Sequence, residues 1–229
     1  RHFSILLAAS GARVVAAARN MDKLAQTVDI ITSSGDEALA VSLDVKDEAS
    51  IAAATQASGA IDILVNNAGI ASSKRVLDWQ GADWDDVMET NLRGAWMVAA
   101  AVASQMRERD ASGSIINIAS ILGERVGSGV MPYAVSKAGL VQMTKAMALE
   151  LAGKGIRVNA LAPGYIKTDI NRDFLQSEGG LRLLKRIPQG RFGEPDDLDG
   201  ALLLLASDGS KFINGAVIAV DGGHLVSSL

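Results

Sequence analysis

The chain has 229 residues, no cysteine, 23 glycines, four prolines and a formal charge of −4. This excludes disulfides and thiolate chemistry, and 48% hydrophobic residues without a low-complexity tract exclude a disordered or fibrous chain. No Lys/Arg cluster suggests a nucleic-acid partner, His2 and His224 at opposite ends offer no metal pair, and the longest apolar run, near 201–206, is too short for a bilayer.

In chain order, 1–10 reads as a helix already under way, with Phe3, Leu6 and Leu7 on one side. Residue 1 is Arg rather than Met, so residues upstream are expected. Strands are predicted over 13–18, 38–43, 61–66, 114–119, 156–162 and 216–220. Helical spacing falls over 84–107, 132–152 and 196–207, with a short crossover of barely two turns over 51–58. Several strands are apolar almost throughout, the mark of strands covered on both faces. The expected architecture is one α/β domain over 1–229, a doubly wound parallel sheet with helices on both faces and functional groups just past the strands' carboxyl ends. The 165–191 stretch interrupts this rhythm and has the length of a lid.

Chemistry concentrates in Tyr133-Ala-Val-Ser-Lys137, at the start of a helical pattern. Positions four apart share a helix face, and an ammonium beside a phenol lowers its pKa from about 10 towards a usable acid or base. By itself the spacing also fits an exposed pair. Thirteen residues earlier Ser120 closes an apolar strand, where its hydroxyl either meets a ligand or bonds its own turn.

Strand, serine, thirteen-residue interval, Tyr-x-x-x-Lys and helix together resemble the short-chain dehydrogenase/reductase family. Asn66-Asn67-Ala68-Gly69 is similar to its N-N-A-G turn, Asn91 to its helical asparagine, Pro163-Gly164-Tyr-Ile166-Lys-Thr168 to its nicotinamide-side segment and Val220-Asp-Gly-Gly223 to its last strand end. The resemblance covers nearly the whole chain and implies a Rossmann-like fold with Asn91, Ser120, Tyr133 and Lys137 as the catalytic set. Hydride would pass between nicotinamide and a carbonyl or alcohol, with Tyr133 giving or taking the proton, Ser120 holding the oxygen and Lys137 binding ribose while lowering the tyrosine pKa. Asn91 would anchor a relay water. Arg19, Asp44, Val45, Asn67, Ala68, Gly69, Tyr133, Lys137, Pro163, Gly164, Ile166 and Thr168 would line the cofactor. Bare Ala68 and Gly69 would let backbone approach it, and Asn66 would brace the sheet.

The strand over 13–18, which corresponds to the family's second, ends Ala16-Ala17-Ala18-Arg19-Asn20, without the carboxylate that holds a 2′-hydroxyl and with a guanidinium suited to a 2′-phosphate. NADP(H) is therefore the preferred cofactor and NAD(H) the alternative, with Arg19 as a plain turn residue. Asp44 either accepts from adenine or caps the helix before Glu48. The resemblance also implies a cytoplasmic homotetramer and a 3-oxoacyl thioester or similar β-keto substrate. The alternatives are an NAD-linked secondary-alcohol or sugar dehydrogenase and a non-catalytic dinucleotide-binding scaffold. Met131, Tyr165, Phe174 and Leu175 either line an apolar cleft or pack in the core. The family's opening strand and its T-G-x-x-x-G-x-G turn have no counterpart here, which again points to residues upstream of Arg1.

Overall fold

Two strands buried along their length set the frame. In the computed structural model, which describes residues 1–168 and 171–227, β4 (Gly113–Ile118) and β5 (Ile156–Pro163) place Ile115, Ile116, Val158, Ala160 and Leu161 fully out of solvent. β3 (Ile63–Asn66) pairs with β4, and β6 (Val217–Val220) with β5, so the order β3-β4-β5-β6 is parallel throughout.

β1 (Val14–Ala18) and β2 (Ala38–Ser42) form a separate parallel pair in register from Val14↔Ala38 to Ala18↔Ser42. The pattern predicts one sheet; among the described residues no ladder joins β1 to β3. All the described strands run parallel with helices between them, as expected of a doubly wound fold. Arg13, whose Nη2 donates to the Ser58 carbonyl at 3.0 Å, ties the two-stranded unit to the segment leading into β3.

The helices are α1 (His2–Ala9), α2 (Met21–Ser33), α3 (Glu48–Ser58), α4 (Gly81–Met88), α5 (Ala95–Glu108), α6 (Met131–Leu151), α7 (Arg172–Gln176), α8 (Glu178–Leu184) and α9 (Asp199–Ala206). Asn20 caps α2 by accepting from Lys23 N–H at 2.9 Å, and Asp47 caps α3 by accepting from Ala49 N–H at 3.0 Å. The crossover is thus three turns rather than two, because the cap lies before Glu48 and not beside Ile51. Phe3, Leu6 and Leu7 of α1 pack with Leu198, Leu202 and Leu205, as their spacing predicts.

α5 and α6 close the opposite face against Ile115, Val158 and Ala160. α5 lies so close to β4 that a Cβ on Gly113 would fall 2.5 Å from the Met106 sulfur. The helix predicted over 84–107 is interrupted: Glu89–Gly94 is a π-helical turn between α4 and α5. The 165–191 stretch carries α7 and α8 and a small core of Leu175, Ile187 and Phe192. No helix among the described residues is long and apolar enough to cross a membrane.

Candidate active site

β4 runs into Ser120, whose extended backbone turns at once into the 3-10 segment Ile121–Gly123. Ser120 Oγ accepts from the Leu122 amide at 3.1 Å and lies near enough to the Tyr133 phenol to favour its ionised form. Of the two readings of this serine, the turn bond is made, and the same side chain stands beside the phenol. Tyr133 stands in the first turn of α6, which Pro132 starts with its fixed φ. Gly123 allows the turn to rest on that helix, since a Cβ there would lie 2.9 Å from the Lys137 carbonyl carbon.

Lys137, one turn on, is 5% exposed and donates from Nζ to the Ile118 carbonyl at 2.7 Å. Its Nζ sits 5.6 Å from the centroid of the Tyr133 ring. Burial pushes the ammonium pKa down to about 8. Burial also raises the Tyr133 phenol; the neighbouring Ser120 hydroxyl opposes this, and nearby Tyr165 adds to it. The expected lowering of the phenol by Lys137 is not what this arrangement produces. The ammonium lies over the ring and spends a hydrogen on the β4 carbonyl, while the phenol loses solvent.

Asn91 occupies the π-helical turn and is fully buried. Its amide donates to the Ile70 carbonyl at 2.9 Å and to Ser136 Oγ at 3.1 Å, and its oxygen accepts from the Ile70 amide at 2.8 Å. π turns in α-helices often mark functional positions, and here one aims an amide at the loop after β3. Both amide hydrogens are used within the protein, which fixes the loop, while the side-chain oxygen keeps a lone pair beyond its bond from Ile70. A Cβ on Gly69 would lie 3.3 Å from Asn91 Oδ1 and 3.7 Å from Lys137 Nζ, which makes the bare strand end a cradle between the two. Asn66 braces the sheet by donating to Ala95 O at 2.9 Å and Asn117 Oδ1 at 3.1 Å, and Asn117 donates in turn to Thr144 Oγ1 at 2.9 Å.

The remaining predicted cofactor residues follow strand ends. Arg19 is exposed beside a hollow lined by Asn20, Met21 and Asp22. Asp44 does not cap α3, because Asp47 does; its carboxylate accepts from Lys46 N–H at 3.0 Å while its own amide donates to Ser50 Oγ at 2.9 Å. Val45 presses on Gly94, where a Cβ would come within 2.8 Å of its side chain and carbonyl. Asn67, Ala68 and Gly69 are exposed past β3. Gly164, after Pro163, donates to Val220 O at 2.9 Å, and a Cβ there would meet Asp221 Cα at 2.7 Å. Ile166 bridges to Gly193, and the Thr168 amide donates to Asn171 Oδ1 at 2.9 Å. A cavity of about 380 Å³ opens beside Tyr165, Ile166, Gln189, Arg191 and Asp221.

A flat dinucleotide fits this chemistry. The strand ends are bare at Gly69, two Lys137 hydrogens have no protein acceptor among the described residues, and no acid replaces Arg19 at the end of β1. Of the four apolar residues weighed for a cleft, Leu175 is buried in the 165–191 core and Phe174 is half exposed; Tyr165 lines the cavity. Sequence reasoning passed over Asn117 and Thr144, which hold the sheet to α6, and Arg125 and His224, which join the post-β4 loop to the C-terminal segment.

Residues 1–224 match a family model described as Enoyl-(Acyl carrier protein) reductase. Among curated proteins, the 3-oxoacyl-(acyl-carrier-protein) reductase FabG of Thermotoga maritima is 38% identical, over 97% of this chain and 92% of that protein. Gluconate 5-dehydrogenase of Gluconobacter oxydans is 38% identical, over 96% of this chain and 88% of that protein. The crystal structure of a gluconate 5-dehydrogenase from Burkholderia cenocepacia, in complex with NADP and tartrate, superposes with a TM-score of 0.95 at 38% identity, covering 99% of this chain and 91% of that one. With the matched length, the shared fold and the strand-tip serine beside Tyr-x-x-x-Lys in agreement, the chain belongs to the short-chain dehydrogenase/reductase family, as an oxidoreductase acting on CH–OH and C=O groups.

Proposed function

We propose that the protein exchanges a hydride between NADP(H) and a carbonyl or secondary alcohol, with Tyr133 as the proton donor in reduction. The observation that carries this is the buried Lys137 ammonium over the Tyr133 ring, with the strand-tip serine beside the phenol. Bound NADP(H) supplies or accepts the hydride. Ser120 and Tyr133 hold the substrate oxygen, and the Tyr133 proton passes to it as charge develops. Lys137 offers its two free hydrogens to ribose hydroxyls, and Asn91 holds Ile70 so that Gly69 stays open. A phenol raised above its ordinary value remains protonated at neutral pH, which suits reduction better than oxidation.

Arg19 would take the 2′-phosphate, and the NADP in the Burkholderia relative supports this choice over NAD(H). Asp44, Val45, Asn67, Ala68, Pro163, Gly164, Ile166 and Thr168 would complete the cofactor groove. The substrate expected first is a β-keto carbonyl such as a 3-oxoacyl thioester, in keeping with the Thermotoga relative. A second reading, a sugar-type oxo or hydroxy acid, is favoured by Gln189 and Arg191 in the cavity beside Tyr165, and the Burkholderia relative holds the dicarboxylate tartrate. We also propose a homotetramer, supported by the exposure of Trp96, Val135 and Leu149 on α5 and α6.

The test is a panel of acetoacetyl-CoA, 5-keto-D-gluconate and neutral ketones, assayed with NADPH and NADH at equal concentration. Turnover with NADPH exceeding that with NADH is expected. Tight NADPH binding without oxidation by any carbonyl would favour the non-catalytic scaffold instead.

A further inference from the structure

One arginine beside the site is only half engaged. Arg125 lies five residues past Ser120, in the loop that Gly123 lets rest on α6. Its Nη1 donates to the His224 carbonyl and, at 3.1 Å, to Ser227 Oγ. Those bonds use both Nη1 hydrogens. Nε and Nη2 have no acceptor among the described residues, and Arg125 takes part in none of the described ion pairs.

The surroundings lean positive. The His224 imidazole is 4% exposed, has an unpartnered Nδ1 and packs at 5.7 Å between centroids on the Tyr165 ring. Arg125 and Arg186 both disfavour charging that imidazole. Asp221 is the acid facing it, and its carboxylate is occupied by the Gly223 and Leu225 amides at 2.9 and 2.7 Å. Arg125 holds the His224 carbonyl, the His224 ring packs on Tyr165, and the Tyr165 hydroxyl is electrostatically coupled both to Arg125 and to the Tyr133 phenol.

We propose that Arg125 is a specificity-determining residue that anchors a carboxylate of the substrate through its free Nε–Nη2 edge. The carbonyl to be reduced then lies at Ser120 and Tyr133, and the second substrate reading above, an oxo acid, takes precedence over the thioester. This rests on the reading that Ser120 and Tyr133 hold the reacting oxygen. A guanidinium edge matches a carboxylate with two parallel hydrogen bonds, and the C-terminal clasp fixes the side chain before substrate arrives, so little rotamer freedom is lost on binding.

The test compares 5-keto-D-gluconate with its neutral methyl amide, using NADPH and the full chain. The wild type should favour the acid by about a hundredfold in kcat/KM, the size expected for hydrogen bonds to a charged group. Arg125→Gln should bring the acid-to-amide ratio close to one. Arg125→Lys, which keeps the charge and loses the fork, should retain part of the preference and serves if Arg125→Gln does not fold. Ser227→Ala loosens the clasp and leaves the free edge, so the ratio should stay near that of the wild type. A purely structural arginine would lower both rates together and leave the ratio unchanged, which overturns the proposal. A wild type that reduces the amide as well as the acid overturns it too and leaves the hydride-transfer reading standing. A wild type that reduces no carbonyl in the wider panel ends both.

Discussion

The two parallel sheets are built from the same strand-and-helix unit, yet they do different work. β4 and β5 are buried on both faces, and their sheet is cross-braced inside by Asn66, Asn117 and Thr144. Ser120 leaves the end of β4, and Tyr133 and Lys137 sit on the helix that packs against β5. In the β1–β2 pair only Val14, Ala16 and Val41 are buried, Leu39 is half exposed, and Arg19 and Asp44 follow the strand ends. The groups proposed to carry the reaction stand on the more deeply buried sheet. Those proposed to choose the cofactor hang from the lightly packed one, where a substitution changes selectivity at little cost in stability.

The sharpest way to break that contrast is Tyr133→Phe. Removing the phenolic proton should lower kcat about a thousandfold, about 4 kcal/mol on the barrier, while NADPH binding by fluorescence titration stays close to wild type. A variant retaining most of its turnover would remove Tyr133 from the chemistry. Slightly smaller, and on stability instead, is Asn117→Ala: a cavity and two lost buried hydrogen bonds should cost about 3 to 4 kcal/mol in urea denaturation. Leu39→Ser in the exposed pair should cost only about 0.5 kcal/mol. Equal losses would mean that the two sheets are equally rigid.

Much of this contrast was legible beforehand, and the rest was hidden for identifiable reasons. β4 and β5 announce themselves as unbroken apolar runs because both faces are covered. The interval from Ser120 to Tyr133 fixes strand tip, loop and helix start in one stroke. The π-helical turn around Asn91 leaves no trace, since adding a residue to one turn changes hydrogen bonding without disturbing the apolar pattern on either side. Arg125 reads as an ordinary loop residue because its partners His224 and Ser227 lie about a hundred positions away in the chain. The four-residue spacing of Tyr133 and Lys137 gives proximity but not direction. That the ammonium would turn to the Ile118 carbonyl depends on β4 running beneath α6.

The next effect follows from that buried ammonium. Lys137 falls from its ordinary 10.5 to about 8 in the native protein, so between those values the unfolded chain holds a proton that the native chain does not. Stability from this group therefore rises with pH across the window; the burial penalty is fully present below about 8 and fades towards 10.5. Relative to Lys137→Met, the wild type should gain up to about 3 kcal/mol between pH 7 and pH 10.5 in urea titrations. A difference that stays flat with pH would mean the ammonium is solvated, and the more deeply buried sheet would lose its claim to hold a desolvated charge.

The smallest effect on binding probes the exposed pair directly. Arg19 is exposed and no carboxylate stands at the end of β1, so a 2′-phosphate there would be met chiefly by this guanidinium. Hydrogen bonds to a charged group contribute about 2 kcal/mol, so Arg19→Ala should weaken NADPH binding about thirtyfold while leaving NADH binding nearly unchanged. Because Arg19 packs against little, the melting temperature should stay within about a degree of wild type. Charge attraction at an exposed site is screened by salt, so the NADPH advantage of the wild type should also shrink between 50 mM and 500 mM NaCl. Loss of both cofactors together would show instead that β1 carries the shape of the whole groove, and selectivity could then not be altered apart from the frame.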